Sequence, residues 1–350
     1  MTRGVFAGWV LAGALTGAPA FAGWAVRWHV QIPQDLSASD LRWGTKGFFV
    51  LSAKKQAIFG PLPVGVAQLP AGNMVLVRGQ PGMPWLPANF ASDGRFWVVS
   101  APSQELSWTD GQGHFGRKYV GVVNDVDAAS GLVAMIGCTA NEANRWALDG
   151  GLVFLGSLGR DLEDLRPIYH TEQVGEASPM VRCGMLRLGR LRFLSDGTLV
   201  AFPGVVPGLL FFDRDGNLVR MLGTEALGLD TGCEVTYDSA LFNDLLTDDK
   251  TPFAFLNQRR TVDEILPLGQ GPGLVVRVFA DGTTRWELVV VGKGGTATRE
   301  PLPLPPGGPF SRIAGGDVSG GNVLLLRRET FLKTGTATGP WEVFLLEKMP

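Results

Sequence analysis

Residues 195–223 read SDGTLVAFPGVVPGLLFFDRDGNLVRMLG. The segment holds three short apolar runs, Thr198–Phe202, Gly208–Phe212 and Asn217–Leu222. Asp196-Gly197 precedes the first run, and Asp215-Gly216 joins the last two. Asp-Gly pairs supply the positive φ angles that tight hairpins require. Runs of about 4–6 residues, β-branched or aromatic and bounded by turn residues, fit buried strands better than helices.

The same unit recurs outward in both directions. Gly72-Asn73 leads into Met74–Val77, Asp93-Gly94 into Phe96–Val99, and Ser130-Gly131 into Leu132–Ile136. Gly271-Pro272-Gly273 leads into Leu274–Val278, and Gly320-Gly321-Asn322 into Val323–Leu326. Behind several of these runs come a second strand and a second turn, as in 92–120 and 131–158, the latter reading GLVAMIG, NRWALDGG and LVFLGSL. An aromatic residue often stands in the second strand: Trp108, Trp146, Phe211, Trp286 and Trp341. That placement suits packing between adjacent sheets. A period of roughly 40–60 residues with about four strands per unit is the pattern of an all-β propeller.

Units of the form D-G, strand, F-D-x-D-G, strand resemble the six-bladed β-propellers of the NHL and TolB-like type. The resemblance covers 43–347 loosely and 192–223 well. It implies six blades of four antiparallel strands, with seven blades as the alternative, and no particular activity. Two segments read as insertions. The first, 161–182, carries no strand pattern; the second, 224–256, includes a short helix capped by Asp238-Ser239. The last unit, ending in Trp341–Leu346, lacks an outer strand, which Gly47–Leu51 is expected to supply. On this reading 23–42 is an N-terminal extension and 43–350 a single propeller.

Composition bounds the class. The chain has 350 residues, 31 Lys and Arg against 33 Asp and Glu, 45% hydrophobic and 18% charged residues. This is enough apolar matter for a core and too little excess positive charge for a nucleic-acid binder. Arg3, the apolar run Val5–Thr16, Pro19 and Ala20-Phe21-Ala22 form the pattern of a cleaved leader over 1–22, with Gly23 first after cleavage. The alternative is a membrane anchor over Gly4–Val26. Either implies a periplasmic or extracellular protein, expected to be a monomer. The three cysteines are Cys138, Cys183 and Cys233. Their expected positions favour a Cys183–Cys233 disulfide and leave Cys138 as a buried thiol.

The motifs of nucleophilic, zinc and phosphate-loop chemistry are missing from the sequence. Of the three histidines, His114 reads as a turn residue, while His170 lies in the first insertion beside Tyr169. Asp213-Arg214-Asp215-Gly216-Asn217 superficially matches a calcium loop but reads better as a hairpin turn. Loops joining second to third strands, and one blade to the next, share one face of a propeller. That face gathers the candidate binding residues Asn141, Glu142, Arg145, His170, Arg182, Asp230, Glu234, Arg259 and Arg260. Arg182, Arg259 and Arg260 are fork-shaped donors for a carboxylate or a partner backbone. The expected role is non-catalytic recognition or scaffolding of a protein or small ligand, without a cofactor. The alternative is a hydrolase or lyase with one channel Ca or Zn ion, held by groups such as Asp125, Asn144 and Asn257.

Overall fold

The computed structural model describes residues 23–52, 54–70, 72–76, 85–90, 96–100, 105–109, 114–119, 122–138, 151–158, 164–170, 189–203, 208–229, 260–269, 271–308, 311–330 and 337–349. Within them lie six four-stranded antiparallel sheets. The first holds β2 (Ala38–Gly44), β3 (Gly47–Ser52), β4 (Ala57–Leu62) and β5 (Met74–Leu76). The second holds β6 (Trp85–Phe90), β7 (Phe96–Ser100), β8 (Glu105–Thr109) and β9 (His114–Tyr119). The third holds β10 (Val122–Ala129), β11 (Leu132–Cys138), β12 (Gly151–Ser157) and β13 (Arg166–His170). The fourth holds β14 (Arg190–Phe193), β15 (Leu199–Phe202), β16 (Gly208–Phe212) and β17 (Leu218–Gly223), followed by the one-turn helix α1 (Thr224–Leu227). The fifth holds β18 (Thr261–Leu268), β19 (Gly271–Ala280), β20 (Thr283–Val291) and β21 (Ala297–Pro301). In the sixth, β22 (Ser311–Ser319), β23 (Asn322–Thr330) and β24 (Ala337–Lys348) are joined by β1 (Trp24–Ile32).

The first strands β2, β6, β10, β14, β18 and β22 each touch the next, and β22 touches β2. They close a ring around a central channel, and the sheets radiate from it as propeller blades. Hairpins of the anticipated chemistry set the blade register. Gly197 and Gly216 take φ of 86° and 85°, which a β-carbon would oppose. Asp213 accepts from the Asn217 backbone N–H at 2.8 Å and from Asn217 Nδ2 at 2.9 Å, which makes its loop the β16–β17 hairpin.

Apolar faces of neighbouring blades interlock between the sheets. Leu199, Ala201, Leu210 and Phe212 pack on Ile136, Val153 and Tyr169 of the third blade. Val200, Phe202 and Phe211 pack on Val262, Leu274 and Val289 of the fifth. The aromatic residues Phe211, Trp286 and Trp341 are buried as expected. A buried aliphatic or aromatic side chain contributes roughly 1.5–3 kcal/mol, so these seams carry the fold.

Several expectations are corrected. The closing strand is β1, not Gly47–Leu51, which lies in β3 as the second strand of the first blade. Residues 23–42 are therefore no extension: they supply β1 and the start of β2. Strand β1 pairs Trp24 with Lys348 and Ile32 with Trp341, and it buries Trp24, Val30 and Ile32. His29 Nε2 lies 3.0 Å from Glu342 Oε1, and its ring stacks on Phe344 at 4.4 Å. An anchor over Gly4–Val26 would have to withdraw Trp24–Val26 from this sheet.

Residues 161–182 do contain a strand, β13. It is an outer strand with mostly exposed residues, so it shows no apolar run. Met74–Leu76 is likewise an outer strand and is exposed rather than buried. His114 opens strand β9 opposite Thr109 rather than sitting in a turn. Strand β11 pairs directly with β12, so LVFLGSL is the third strand of its blade and Gly151 sits on the second-to-third loop side. The helix expected at Asp238-Ser239 and the leader 1–22 lie outside the described residues.

Candidate functional site

Charged residues on the inner strands line the channel. One set staples the blades. Asp40 Oδ2 accepts from the Phe90 N–H at 2.7 Å, Asp125 Oδ2 from Leu191 at 2.8 Å, and Asp127 Oδ2 from Phe193 at 2.8 Å. Asp263 Oδ2 accepts from Ile313 at 3.0 Å, and Asp317 Oδ2 from Trp43 at 2.8 Å. The first blade thereby grips the second, the third the fourth, the fifth the sixth, and the sixth the first. Register shifts beside Asp40, Asp125 and Asp263 bend the strand there. Burial pushes the Asp125 carboxyl up to about 7 and raises Asp40 well above the usual carboxylate range. Asp125, a nominee for a channel ion, has both oxygens engaged by backbone N–H groups.

Halfway down, Arg192 crosses the channel. Its Nε donates to the Ile265 carbonyl at 3.3 Å and its Nη2 to the Gly316 carbonyl at 2.9 Å. Glu264 Oε1 lies 3.6 Å from Nη2. Burial opposes the guanidinium charge, but Glu264, Asp127, Asp317 and Asp40 outweigh it and raise the pKa above the ordinary arginine value. Beyond Arg192, on the face of the first-to-second strand hairpins, lies a cavity of about 370 Å³. All six blades reach it, through Trp43, Phe90, Ser130, Phe193, Pro267 and Asp317.

The other end of the channel, on the face where the inner strands begin, has the opposite balance. Asp263 is its buried carboxylate. Trp286 Nε1 donates to Asp263 Oδ2 at 3.1 Å, while Oδ1 has no hydrogen-bond partner among the described residues. Arg277 Nε and Arg312 Nε stand 3.7 and 3.8 Å from Oδ1. Arg190 Nε donates to the Asp263 carbonyl at 2.7 Å. Arg328 lies directly opposite Arg312 across the β22–β23 pair. Burial, and then the neighbouring Arg277, Arg190 and Arg328, depress Arg312 to about 9 despite the attraction of Asp263. Burial and Arg190 likewise lower Arg328.

The residues expected from sequence are distributed unevenly about this site. Arg260 immediately precedes β18 on the arginine-rich face, but it is ion-paired with Glu287 of its own blade. His170 ends β13 opposite Gly151, exposed at the outer rim of the third blade and remote from the channel. The structure does not bring these two together. Asn141, Glu142, Arg145, Arg182, Asp230, Glu234 and Arg259 lie outside the described residues, as do Cys183 and Cys233. Cys138 ends β11 opposite Val122. Among the described residues no three His, Cys, Asp or Glu side chains are placed to share a metal ion. Sequence reasoning missed Arg190, Arg192, Arg277, Arg312 and Arg328. Charges interrupting apolar strands, as in RLRF (190–193) and VDEIL (262–266), were the available signal.

No protein-family model matches the chain, and no curated protein matches it. Solved structures do. A streptogramin B lyase is 9% identical over 95% of this chain and 100% of that one, with a TM-score of 0.45. A luciferin-regenerating enzyme is 11% identical over 90% of this chain and 92% of that one, also at 0.45. The PQQ-bound aldose sugar dehydrogenase of Streptomyces coelicolor is 12% identical over 95% of this chain and 100% of that one, again at 0.45. At such identity the activities named there stay with those proteins.

Proposed function

We propose that this protein is an exported recognition module of the NHL or TolB-like kind, which receives an anionic group at the arginine-rich mouth of its channel. One observation carries the reading: Arg190, Arg277, Arg312 and Arg328 gather beside the buried Asp263, and Nη2 of Arg312 and Nε of Arg328 are buried with no hydrogen-bond partner among the described residues. Clustered cations at partly desolvated positions repel one another, and an incoming anion relieves that repulsion. Guanidinium forks also match oxyanions geometrically. The channel carboxylates Asp40, Asp125, Asp127 and Asp317 are engaged by backbone N–H groups, in keeping with a structural rather than a catalytic use.

Export fits the position of the closing strand. Cleavage after Ala22 would leave β1 whole, and the Gly23 carbonyl already accepts from the Met349 N–H at 2.8 Å. Among the described residues no helix is long and apolar enough to cross a membrane.

The test is thermal unfolding with acetate, succinate, sulfate or phosphate at constant ionic strength. Anion binding to the folded state raises Tm. The reading expects at least one of these anions to raise the Tm of the wild type, and the rise to be lost in an Arg312→Gln, Arg328→Gln double variant. Identical melting in all of them would overturn it.

A further inference from the structure

Apart from Met349, the large apolar side chains exposed among the described residues lie on two outer strands. Met74, Val75 and Leu76 belong to β5, and Leu218, Val219 and Met221 to β17. The outer strand of a blade presents a row of unpaired N–H and C=O groups, and proteins blunt such edges with short strands, charges, proline or bulges. The other blades follow this rule. Strand β5 is three residues long. Strand β9 carries Arg117 and Lys118, β13 carries Arg166 and Pro167, and β21 carries Arg299, Glu300 and Pro301. Strand β1 presents Arg27, His29 and Gln31, and a register shift between Val26 and Trp28 breaks its line. Strand β17 differs. It is paired on one side only, with β16. Leu218, Val219 and Met221 are 43%, 60% and 53% exposed. Leu218 and Met221 stand opposite Phe212 and Leu210, which pack toward the third blade, so they continue that apolar face into solvent. The one charge of the strand is turned away: Arg220 Cζ lies 3.8 Å above the Phe211 ring, and Nη1 donates to the Lys293 carbonyl at 2.7 Å. The extra residue Val219 leaves 220–223 in regular register with β16.

We infer that the β17 edge is a docking site for one extended, uncharged segment of a partner protein, which adds to the fourth blade as a fifth strand. Main-chain hydrogen bonds along the edge hold the segment, and its apolar side chains cover Leu218 and Met221. With Arg220 held on Phe211, the edge has no charge for the segment to answer. Its size fits a peptide rather than a second folded copy: β17 offers six residues, whereas a stable interface between folded chains engages about 20–30 a side. At the hairpin the exposed Arg214 and Asp215 end the apolar stretch. The site lies on the outer rim of the blade and is independent of the anion reading at the channel mouth.

The test uses the full chain and a capped peptide of about eight residues alternating valine and threonine, the pattern of an added strand. Fluorescence anisotropy should show saturable binding, and hydrogen exchange should show the β17 amides protected by it. The same peptide N-methylated at alternate amides cannot bond the edge, and it should bind about tenfold more weakly or worse. A Val219→Lys, Met221→Lys double variant places charge on the edge and should weaken the parent peptide by a similar factor. Both positions are exposed, so the variant keeps the fold, which unchanged circular dichroism and Tm check. No binding of the parent peptide, equal binding of its N-methylated form, or binding unchanged in the double variant would each overturn the inference. A wild-type dimer in analytical ultracentrifugation that the double variant dissolves would also overturn it, because the occupant would then be a second copy of the chain.

Discussion

Arg192 and Arg312 are two largely buried guanidinium groups on inner strands of one channel, and their surroundings have opposite sign. Arg192 spans from the fourth blade to the sixth and is enclosed by Glu264, Asp127, Asp317 and Asp40, which raise its pKa. Arg312 faces Arg277, Arg190 and Arg328, with Asp263 as its neighbouring carboxylate, and its pKa falls. The first arrangement sets one cation among four carboxylates. The second sets four cations beside Asp263, with Nη2 of Arg312 and Nε of Arg328 unpartnered among the described residues. A buried ion pair adds little net stability, but removing one of its partners is costly. The channel thus holds a blade-bridging arginine partway along it and an arginine cluster at the mouth where the inner strands begin.

The sharpest way to break the comparison is Arg192→Met. It strands the carboxylates around Glu264 without their cation and severs the bridge to the sixth blade. Urea denaturation should show a loss of about 3–5 kcal/mol, the usual cost of removing one partner from a buried ionic network. A loss under about 1 kcal/mol would mean that Arg192 does not hold the channel carboxylates and the sixth blade in place.

Next in size is the effect of pH on the staples. Asp125 has its folded pKa raised to about 7, against an ordinary carboxyl value near 4 in the unfolded chain. The folded state therefore binds the extra proton, and this group's contribution to stability falls as pH rises from about 4 through about 7. Asp125→Asn removes that dependence. The stability of wild type minus that of Asp125→Asn should fall by roughly 2 kcal/mol from pH 5 to pH 8. A constant difference across that range would contradict the raised pKa.

Smallest is the stability of the ligand-free mouth. Arg328→Gln removes one member of a like-charge cross-strand pair, so the variant should be more stable than wild type by roughly 0.5–1 kcal/mol in anion-free buffer. Calorimetry in a non-coordinating buffer reads this directly. Destabilisation would place Arg328 among the structural charges, beside Arg192.

The blades were legible because their turns are written in local chemistry. The runs anticipated around Asp196-Gly197 and Asp215-Gly216 appear as Leu199–Phe202, Gly208–Phe212 and Leu218–Gly223. The closing strand was not legible. Trp24–Val26 continues the apolar stretch that reads as a leader, and pairing with Lys348 through Trp341 is a contact between distant parts of the chain that no local pattern encodes. The outer strand β13 escaped for the converse reason, since it faces solvent and needs no apolar run; β5 was read as a strand, but as a buried one. The arginine cluster is built from three strands of two blades plus Arg190 of a third, residues as far apart as 190 and 328. Only ring closure brings them together. Reasoning from loops nominated Arg260, which Glu287 engages. It overlooked the strand-borne arginines immediately below.

The most direct test of the account is a crystal structure of the protein grown with tungstate, an electron-dense oxyanion. The account predicts one tungstate between Arg312 and Arg328, hydrogen-bonded to Nη2 of the first and Nε of the second, with Arg192 still bridging to Gly316 below. Guanidinium groups of Arg312 and Arg328 paired instead with carboxylates of the chain, and tungstate bound elsewhere, would contradict it.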